Sequence, residues 1–218
     1  MPVSSSFPMP QVSRRKLLIG ASSATAFLAP AGAVQANGSA ELSVTEALRS
    51  RRSTRAFSER GLDAPLIAEI LWAAVGVNRP ETGLRTAPSW YGAADVGLYV
   101  ATTDGVQSYD PVSSSLGPML SGDIRKTLSP QPFVATAPAC LIFISDLTKL
   151  SAAPSEDEKR LWATVNAAIA AQNVYVFAAA RGLGTCLVGG LDREAIRGGL
   201  SLTAQDHPTF VQPIGWPA

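Results

Sequence analysis

The chain has 218 residues, with 18 Lys and Arg against 17 Asp and Glu, and 46% of its residues are hydrophobic. A chain of this length is expected to form one domain with an ordinary core, and it is too apolar to remain disordered. A net charge of +1 provides no field that would attract nucleic acid or an acidic membrane surface. Two cysteines exclude a disulfide scaffold, and one histidine excludes His-rich metal sites and most catalytic triads, so we expect no metal centre.

Residues 1–36 have the layout of an export signal. They contain no Asp or Glu, and a basic segment precedes an apolar stretch over residues 17–29. That stretch of 13 residues is too short to cross a bilayer as a helix. Small residues then offer cleavage after Ala33 or Ala36. We expect a signal that is removed; a basic N-terminus with an accidental apolar run is the alternative.

The adjacent Arg14 and Arg15, followed by an apolar stretch rich in Gly, Ala, Ser and Thr, resemble a twin-arginine signal. That resemblance implies export by the twin-arginine machinery, a periplasmic or otherwise exported location, and a cofactor that is bound before export. Removal of residues 1–36 leaves 182 residues with 15 basic and 17 acidic side chains. We expect them to form a single domain over residues 37–218.

Capping patterns predict two helices near the start of this domain. Ser43 and Glu46 have the spacing of a capping box, which predicts a helix that runs to about Arg52. Asp63 can cap a second helix with Pro65 in its first turn, where the missing N–H of proline does no harm.

The middle of the chain alternates between turn-rich and β-rich segments. Residues 78–94 hold Pro, Gly, Thr and Ser without periodicity, which predicts an irregular loop long enough to carry function. Apolar, β-rich runs predict strands over residues 96–103, 106–109, 139–145, 184–191 and 209–214, and a short helix is predicted over residues 192–200.

A long helix is predicted in the second half of the chain. Ser155 and Glu158 repeat the capping-box spacing at its start, and it should run to about Arg181, with Gly182 as its stop. From Leu161 onward it is apolar nearly all round, which predicts burial on every side and suggests the interface of a homodimer as much as the core of one domain. Helices and strands mixed without a βαβ rhythm predict an α+β fold.

Three segments carry residue types that are suited to ligand binding. Residues 51–55 place three arginines and two hydroxyls at a helix end, where they either bind phosphate or form a solvated helix terminus. Residues 182–190 contain paired glycines, which either admit a ligand to backbone N–H groups or form a bulged strand. In residues 85–92, Trp90 and Tyr91 beside Pro and Gly either line a flat ligand or close the end of a core.

Together these segments resemble the nitroreductase family of FMN enzymes over about residues 42–217. The matching motifs, in chain order, are R-R-S-x-R-x-F at residues 51–57, Q-N-hydrophobic-aromatic at residues 172–175, G-L-G-T through G at residues 182–190, and a closing G-W-P at residues 215–217. The loop at residues 85–89 and the hairpin at residues 104–111 resemble the branch near the thiazoline-forming oxidases of peptide maturation. The resemblance implies a central, mostly antiparallel sheet flanked by helices, with the long buried helix at a dimer interface.

The resemblance also implies a role for each matching position in the arginine-rich segment. Arg51, Arg52 and Ser53 would hold the FMN phosphate and ribityl chain. Arg55 would lie near the pyrimidine edge of the flavin ring, where a fixed cation favours the negative charge of the reduced flavin.

The remaining roles fall on two other segments. Pro88 and Ser89 would reach the flavin of the other subunit. Val188, Gly189 and Gly190 would line the flavin, and the two glycines would present backbone N–H groups near its N5 atom. The resemblance implies no catalytic side chain, because family members often use water or the substrate itself as acid or base.

Two departures from the family pattern predict weaker FMN binding than is usual. Gly92 and Ala94 stand where many relatives have Asn and Gln that contact flavin or substrate. Many relatives also have a basic residue beyond the closing Pro that contacts the phosphate, and this chain has only Ala218 there.

The sequence thus predicts an exported, homodimeric FMN oxidoreductase that exchanges a hydride at flavin N5 with a small organic substrate. One alternative is a flavin oxidase or dehydrogenase that passes electrons to oxygen or a quinone. The other is a non-catalytic flavin-binding or interaction protein, which the lost amides at Gly92 and Ala94 favour.

Overall fold

The computed structural model describes residues 42–218, so the predicted export signal lies outside the described residues. The helices are α1 Val44–Ser50, α2 Ala64–Val75, α3 Arg125–Leu128, α4 Pro132–Thr136, α5 Glu156–Ala180 and α6 Arg193–Gly199. The strands are β1 Val77–Arg79, β2 Leu84–Arg85, β3 Val96–Ala101, β4 Gly105–Asp110, β5 Ser115–Ser121, β6 Ala139–Asp146, β7 Gly184–Thr185 and β8 Asp206–Gly215.

Six strands form one sheet in the order β5-β4-β3-β6-β8-β7, and every neighbouring pair is antiparallel. β6 lies inside this sheet between β3 and β8, and all of its residues except Asp146 are buried. β1 and β2 form a separate small hairpin. The predicted α+β fold with a central antiparallel sheet flanked by helices is therefore confirmed.

Both faces of the sheet are covered by helices. On one face, side chains of β3, β6 and β8 share a core with α2 and α5; its largest fully buried members are Ile70, Leu71, Leu98, Leu141, Phe143 and Ile214. On the other face, Ile142 and Val211 share a second core with α3, α4 and α6 through Leu128, Val134 and Ile196. Alternate residues of β6 thus point into two separate cores, as the pleat of a strand requires.

Three helices begin at the capping side chains that the sequence predicts. Ser43 and Glu46 form a reciprocal capping box at α1. Asp63 caps α2 through its carboxylate, and Ser155 Oγ accepts a hydrogen bond from the N–H of Glu158 at the start of α5. Each of these helix starts is therefore fixed locally, by a polar side chain at its N-cap.

α5 is buried on one face only. It ends where Gly182 adopts a φ of +70°, and its inward face is rich in alanine, which lets the helix pack closely on the sheet. Leu161 is 55% exposed and Val165 and Ile169 are half-buried, so the predicted burial on every side is not met within one protomer. The reason is geometric, because the core of one chain contacts only one side of this helix. Within the described residues, α5 is also the helix whose length and hydropathy would suffice to span a membrane, but its inward face lies in the core.

The structure corrects two local predictions and adds elements that the sequence did not predict. The predicted irregular loop contains the β1–β2 hairpin and a 3₁₀ turn over Trp90–Gly92. The strand predicted over residues 184–191 is only the two-residue β7, after which Val188 makes a single bridge to Val211. β5 was not predicted, because its sequence contains Gly, Pro and Ser; a sheet edge tolerates Pro118, since a proline there lacks no ladder donor that the sheet needs.

Candidate functional site

The arginine-rich segment is fastened to the end of the sheet. α1 ends at Ser50, and the chain continues in extended form, with the N–H of Thr54 donating to the carbonyl of Thr185 at 2.9 Å. Gly184 makes this approach possible, because a Cβ atom there would lie 2.6 Å from the Thr54 side chain. The glycine segment at residues 182–190 therefore serves backbone packing as well as any ligand.

The C-terminal segment closes the same region from the other side. The N–H of Ser58 donates to the carbonyl of Trp216 at 2.9 Å, and the Arg60 guanidinium lies 3.8 Å from the centre of the Trp216 ring. Pro217, Arg51 and Arg52 line a cavity of about 220 Å³ beside the end of α5. Tyr175 and Gly182 line the same cavity, so all four sequence motifs meet in one place.

Three cations face outward from this segment. The Arg51 guanidinium lies 5.2 Å from the centre of the Tyr175 ring, and Arg55 lies 6.0 Å from that of Phe133. Arg52 donates through Nε only to the carbonyl of Ser50 in its own turn, at 3.3 Å. Over residues 42–218 none of the three forms an ion pair with a carboxylate. Their charge is therefore available to an anion.

The Tyr175 hydroxyl joins the arginine-rich segment to the glycine segment. It lies 3.0 Å from Ser53 Oγ and accepts a hydrogen bond from the N–H of Leu187 at 2.8 Å. Tyr175 is 9% exposed, whereas Ser53 is exposed. One buried side chain of α5 therefore forms hydrogen bonds with both segments.

Gly189 and Gly190 lie at the surface directly after a paired residue. The N–H and carbonyl of Val188 both bond to Val211, at 2.8 and 3.1 Å, and the carbonyl of Gly190 accepts from Ser129 Oγ at 2.6 Å. Among the described residues, neither glycine N–H has a hydrogen-bond partner. These exposed donors are free to bind a ligand acceptor.

Pro88 and Ser89 lie in a different region, the loop at residues 85–95. The polar groups in and beneath this loop form hydrogen bonds with one another. Ser89 Oγ accepts from the N–H of Ala94 at 2.9 Å. Asn166 of α5 accepts from the N–H of Trp90 at 2.9 Å and donates to Asp95 Oδ1 at 2.7 Å. Among the described residues, no hydrogen bond joins Pro88 or Ser89 to the arginine-rich segment.

The buried carboxyl group of Asp95 lies under this loop. Asp95 is 2% exposed, its Oδ2 atom has no hydrogen-bond partner in the described residues, and burial raises its pKa. The Arg85 guanidinium donates to the carbonyl of Val96 at 2.6 Å, and burial lowers its pKa. The loop that carries Pro88 and Ser89 is thus held from beneath by polar groups with little access to water.

The backbone around Gly92 and Ala94 adopts a left-handed conformation. Tyr91, Gly92 and Ala94 have φ values of 50°, 69° and 49°, and no side-chain amide is present at either of the last two positions. Trp90 stacks on Trp162 of α5, with ring centres 5.1 Å apart, while Tyr91 is 85% exposed. The two aromatics therefore divide the roles that the sequence left open, because Trp90 packs and Tyr91 faces outward.

Several site features were missed by the sequence reasoning. The roles of Asn166 and Asp95 under the loop, and of Gln131 and Phe133 beside Gly190 and Arg55, depend on contacts between distant parts of the chain. Asn166 alone gave a signal, since it is a polar residue on a strongly apolar helix. In residues 42–218 no group of three or more His, Cys, Asp or Glu side chains is placed to hold a metal ion.

Comparison with known proteins is consistent with this arrangement. The model of the nitroreductase family matches residues 48–216. A nitroreductase of Methanocaldococcus jannaschii is 29% identical over 185 residues, which span 80% of this chain and 91% of that protein.

Solved structures give the same result. A nitroreductase from Ralstonia eutropha superimposes with a TM-score of 0.77 at 33% identity, over 84% of this chain and 87% of that one. An NADH oxidase from Clostridium acetobutylicum has a TM-score of 0.54 at 19% identity, over 81% and 88% of the two chains, and shares the fold. The chain therefore belongs to the nitroreductase family of oxidoreductases, whose members generally use a flavin, act on small molecules and are typically dimeric.

Proposed function

We propose that the chain is an exported, homodimeric, FMN-dependent oxidoreductase that exchanges a hydride with a small organic substrate. The observation that carries the proposal is the outward-facing set of Arg51, Arg52 and Arg55 without carboxylate partners in the described chain, joined through Tyr175 to the glycine segment. Cations, a hydroxyl and free backbone N–H groups on one surface suit a ligand that carries both a phosphate and a flat ring with acceptor atoms.

The residues present fit FMN. Arg51, Arg52 and the exposed Ser53 hydroxyl would bind its phosphate and ribityl chain, and Arg55 would place a positive charge near the pyrimidine edge. Gly189 and Gly190 would donate N–H groups to the ring, with Val188 holding that turn on β8. When bound, FMN supplies a ring that accepts and returns a hydride at N5. The protein's part is to bind, orient and electrostatically favour the reduced ring.

Two features of α5 and the loop support a homodimer. The outward face of α5 keeps Leu161 exposed and Val165 and Ile169 half-buried, an apolar surface that a second copy would cover. Within the described residues, Pro88 and Ser89 form no hydrogen bond with the arginine-rich segment, which suits a role at the flavin of the partner. Light scattering on the FMN-loaded protein should report a dimer; a stable monomer with FMN bound contradicts this part of the proposal.

We further propose that NADH and NADPH are not its working reductants. Nicotinamide cofactors are cytoplasmic, and the signal predicted at Arg14 and Arg15 would place the enzyme outside that compartment. Gly92 and Ala94 also leave the loop without amides that would orient a carboxamide. The donor would instead be an organic substrate undergoing dehydrogenation or a reduced quinone.

Stopped-flow reduction under anaerobic conditions tests this proposal. With NADH or NADPH, flavin bleaching should be far slower than the enzyme median of about 10 s⁻¹, and faster with a quinol. Reduction by either nicotinamide near that rate contradicts the proposed donor. Dithionite serves as the control that the flavin itself can be reduced.

A fusion experiment tests export separately. Residues 1–36 attached to a folded reporter should deliver it across the inner membrane, and replacing both Arg14 and Arg15 with Lys should abolish delivery. Retention of the unaltered fusion in the cytoplasm contradicts the exported location.

The absence of amides at Gly92 and Ala94 also favours a second candidate, a flavin-binding protein without turnover. Oxidase or dehydrogenase activity that passes electrons to oxygen or a quinone would appear as reoxidation of the dithionite-reduced protein on admitting either acceptor. Bound flavin that is neither reduced by organic donors nor reoxidised by these acceptors would support the non-catalytic candidate.

A further inference from the structure

The hydrogen bonds around Tyr175 can be assigned a direction. A backbone N–H can only donate, so the contact from Leu187 at 2.8 Å makes the Tyr175 oxygen an acceptor there. Either hydroxyl can be the donor in the 3.0 Å contact between Ser53 Oγ and Tyr175. The protons must therefore be assigned by asking which arrangement leaves no buried donor without an acceptor.

Only one arrangement satisfies the buried partner. Ser53 Oγ is the sole acceptor within hydrogen-bond distance of the Tyr175 hydroxyl among the described residues. If Ser53 were the donor, the O–H of the nearly buried Tyr175 would lack an acceptor, which is costly. With Tyr175 as the donor, the series runs from Leu187 N–H to Tyr175 and from Tyr175 O–H to Ser53. The Ser53 O–H is then the donor that has no acceptor within the described residues. Ser53 is exposed and lies beside three cations.

We propose that Tyr175 is a positioning residue for the cofactor, and that this role rests on the FMN function proposed above. Its O–H fixes Ser53 Oγ as an acceptor, so that the Ser53 O–H donates outward to the phosphate of FMN. Within the arginine-rich segment we assign the Ser53 O–H to the phosphate rather than to the ribityl chain, so riboflavin, which has no phosphate, gains nothing from it. The Ser53–Tyr175 pair therefore adds to the preference for FMN over riboflavin that the arginines provide.

The ring of Tyr175 and its hydroxyl have separable effects. The ring lies beneath the Arg51 guanidinium, and Tyr175→Phe retains that contact while removing the hydroxyl. Loss of the hydroxyl frees Ser53 to rotate and leaves the N–H of Leu187 without its acceptor. The variant thus tests the directed hydrogen bond and not the cation–π contact.

The experiment measures the Kd of FMN and of riboflavin for the apoprotein. Tyr175→Phe should weaken FMN by about threefold to tenfold, the effect of one directed hydrogen bond, and leave riboflavin unchanged within about twofold. Ser53→Ala should give a similar FMN loss in the unaltered protein and a smaller one in the Tyr175→Phe background. Tyr99→Phe is the matched control, since the Tyr99 hydroxyl bonds to no described residue, and it should change neither Kd.

The outcomes separate this inference from the proposed function. Failure of the unaltered protein to bind FMN overturns the proposed function itself. Normal FMN binding with equal losses for FMN and riboflavin in Tyr175→Phe overturns only the role of the pair, and so does strict additivity of the two substitutions.

A stability measurement decides the proton direction even if Tyr175→Phe does not fold. Ser53→Ala leaves the Tyr175 O–H without an acceptor if Tyr175 is the donor, so Tm of the apoprotein should fall by about 2–4 °C. Ser58→Ala is the control, because the Ser58 side chain makes no hydrogen bond within the described residues. An unchanged Tm in Ser53→Ala, with an unchanged preference for FMN over riboflavin, overturns the proposal.

Discussion

Two regions of the candidate site are built in opposite ways. Around residues 51–55 the polar groups face outward: the cations lack carboxylate partners in the described chain, and nearby glycine N–H groups are free. Around residues 85–95 the polar groups face inward and bond to one another through Asn166, Asp95 and Ser89. The first region is organised for a ligand, and the second is organised to hold its own loop.

A single helix connects the two regions. Asn166 holds the loop and Tyr175 holds the arginine-rich segment, nine residues apart on α5, or roughly 14 Å along its axis. One protomer therefore presents arginines without carboxylate partners in the described chain at one place and an internally hydrogen-bonded loop at another. A second protomer would bring the loop of one chain to the anion site of the other.

Truncation of Arg51 should have the largest effect on ligand binding. Arg51→Ala should weaken FMN binding to the apoprotein by about 1.5–3 kcal/mol, the contribution of a hydrogen bond to a charged group, as measured by fluorescence titration. Arg49→Ala, which removes an exposed arginine from the last turn of α1, is the matched control and should have little effect. An unchanged affinity in Arg51→Ala would identify the cluster as a solvated helix end.

Removal of the Asn166 side chain should destabilise the loop at residues 85–95 and leave the arginine-rich segment intact. Asn166→Leu leaves the Trp90 N–H and the Asp95 carboxylate without their partner, so the free energy of unfolding should fall by about 1–3 kcal/mol in urea titrations. Asn173→Leu, on the same helix, removes a single bond to the carbonyl of Ala73 and should cost less. Equal losses in the two variants would argue against a special role for Asn166.

Ser89 should contribute less than Arg51 to FMN binding. Its oxygen already accepts from the N–H of Ala94, so only its O–H remains for a ligand. Ser89→Ala should weaken FMN binding by no more than about 1 kcal/mol in the same titration. A loss as large as that of Arg51→Ala would show that the loop binds the cofactor as strongly as the arginine-rich segment does.

The buried Asp95 should give the loop region a pH dependence. Because its pKa is raised in the folded state, the stability of the unaltered protein relative to Asp95→Asn should be greatest below its ordinary pKa of 3.8 and should be lost as pH rises through the raised value. Urea unfolding at several pH values measures this difference, with Glu81→Gln as the exposed control. A difference that grows with pH would mean that the carboxylate is favoured by its surroundings.

The sequence predicts the outward-facing region better than the inward-facing one. Capping residues such as Ser43 and Asp63 act within a few residues, so the helix starts could be predicted locally. The arginines at residues 51–55 could also be identified locally, because they form a motif of five consecutive residues. The proposed direction of the Ser53 hydrogen bond could not be predicted, because it depends on Tyr175, which is 122 positions away.

The inward-facing region depends on tertiary contacts that leave little trace in sequence. The loop at residues 78–94 was predicted as irregular because its hairpin and 3₁₀ turn are short, and they are stabilised from below by Asn166 and Asp95. Burial of α5 on every side was predicted from its composition alone. Composition shows that a face is apolar, but it does not show whether the same chain or a second copy covers it.

Flavin binding by the purified mature protein tests the central proposal most directly. The absorbance spectrum, together with titration of the apoprotein with FMN, should show a flavin at a stoichiometry of about one FMN per subunit, held by the unpaired cations of residues 51–55. A colourless protein that also fails to take up added FMN would contradict the account.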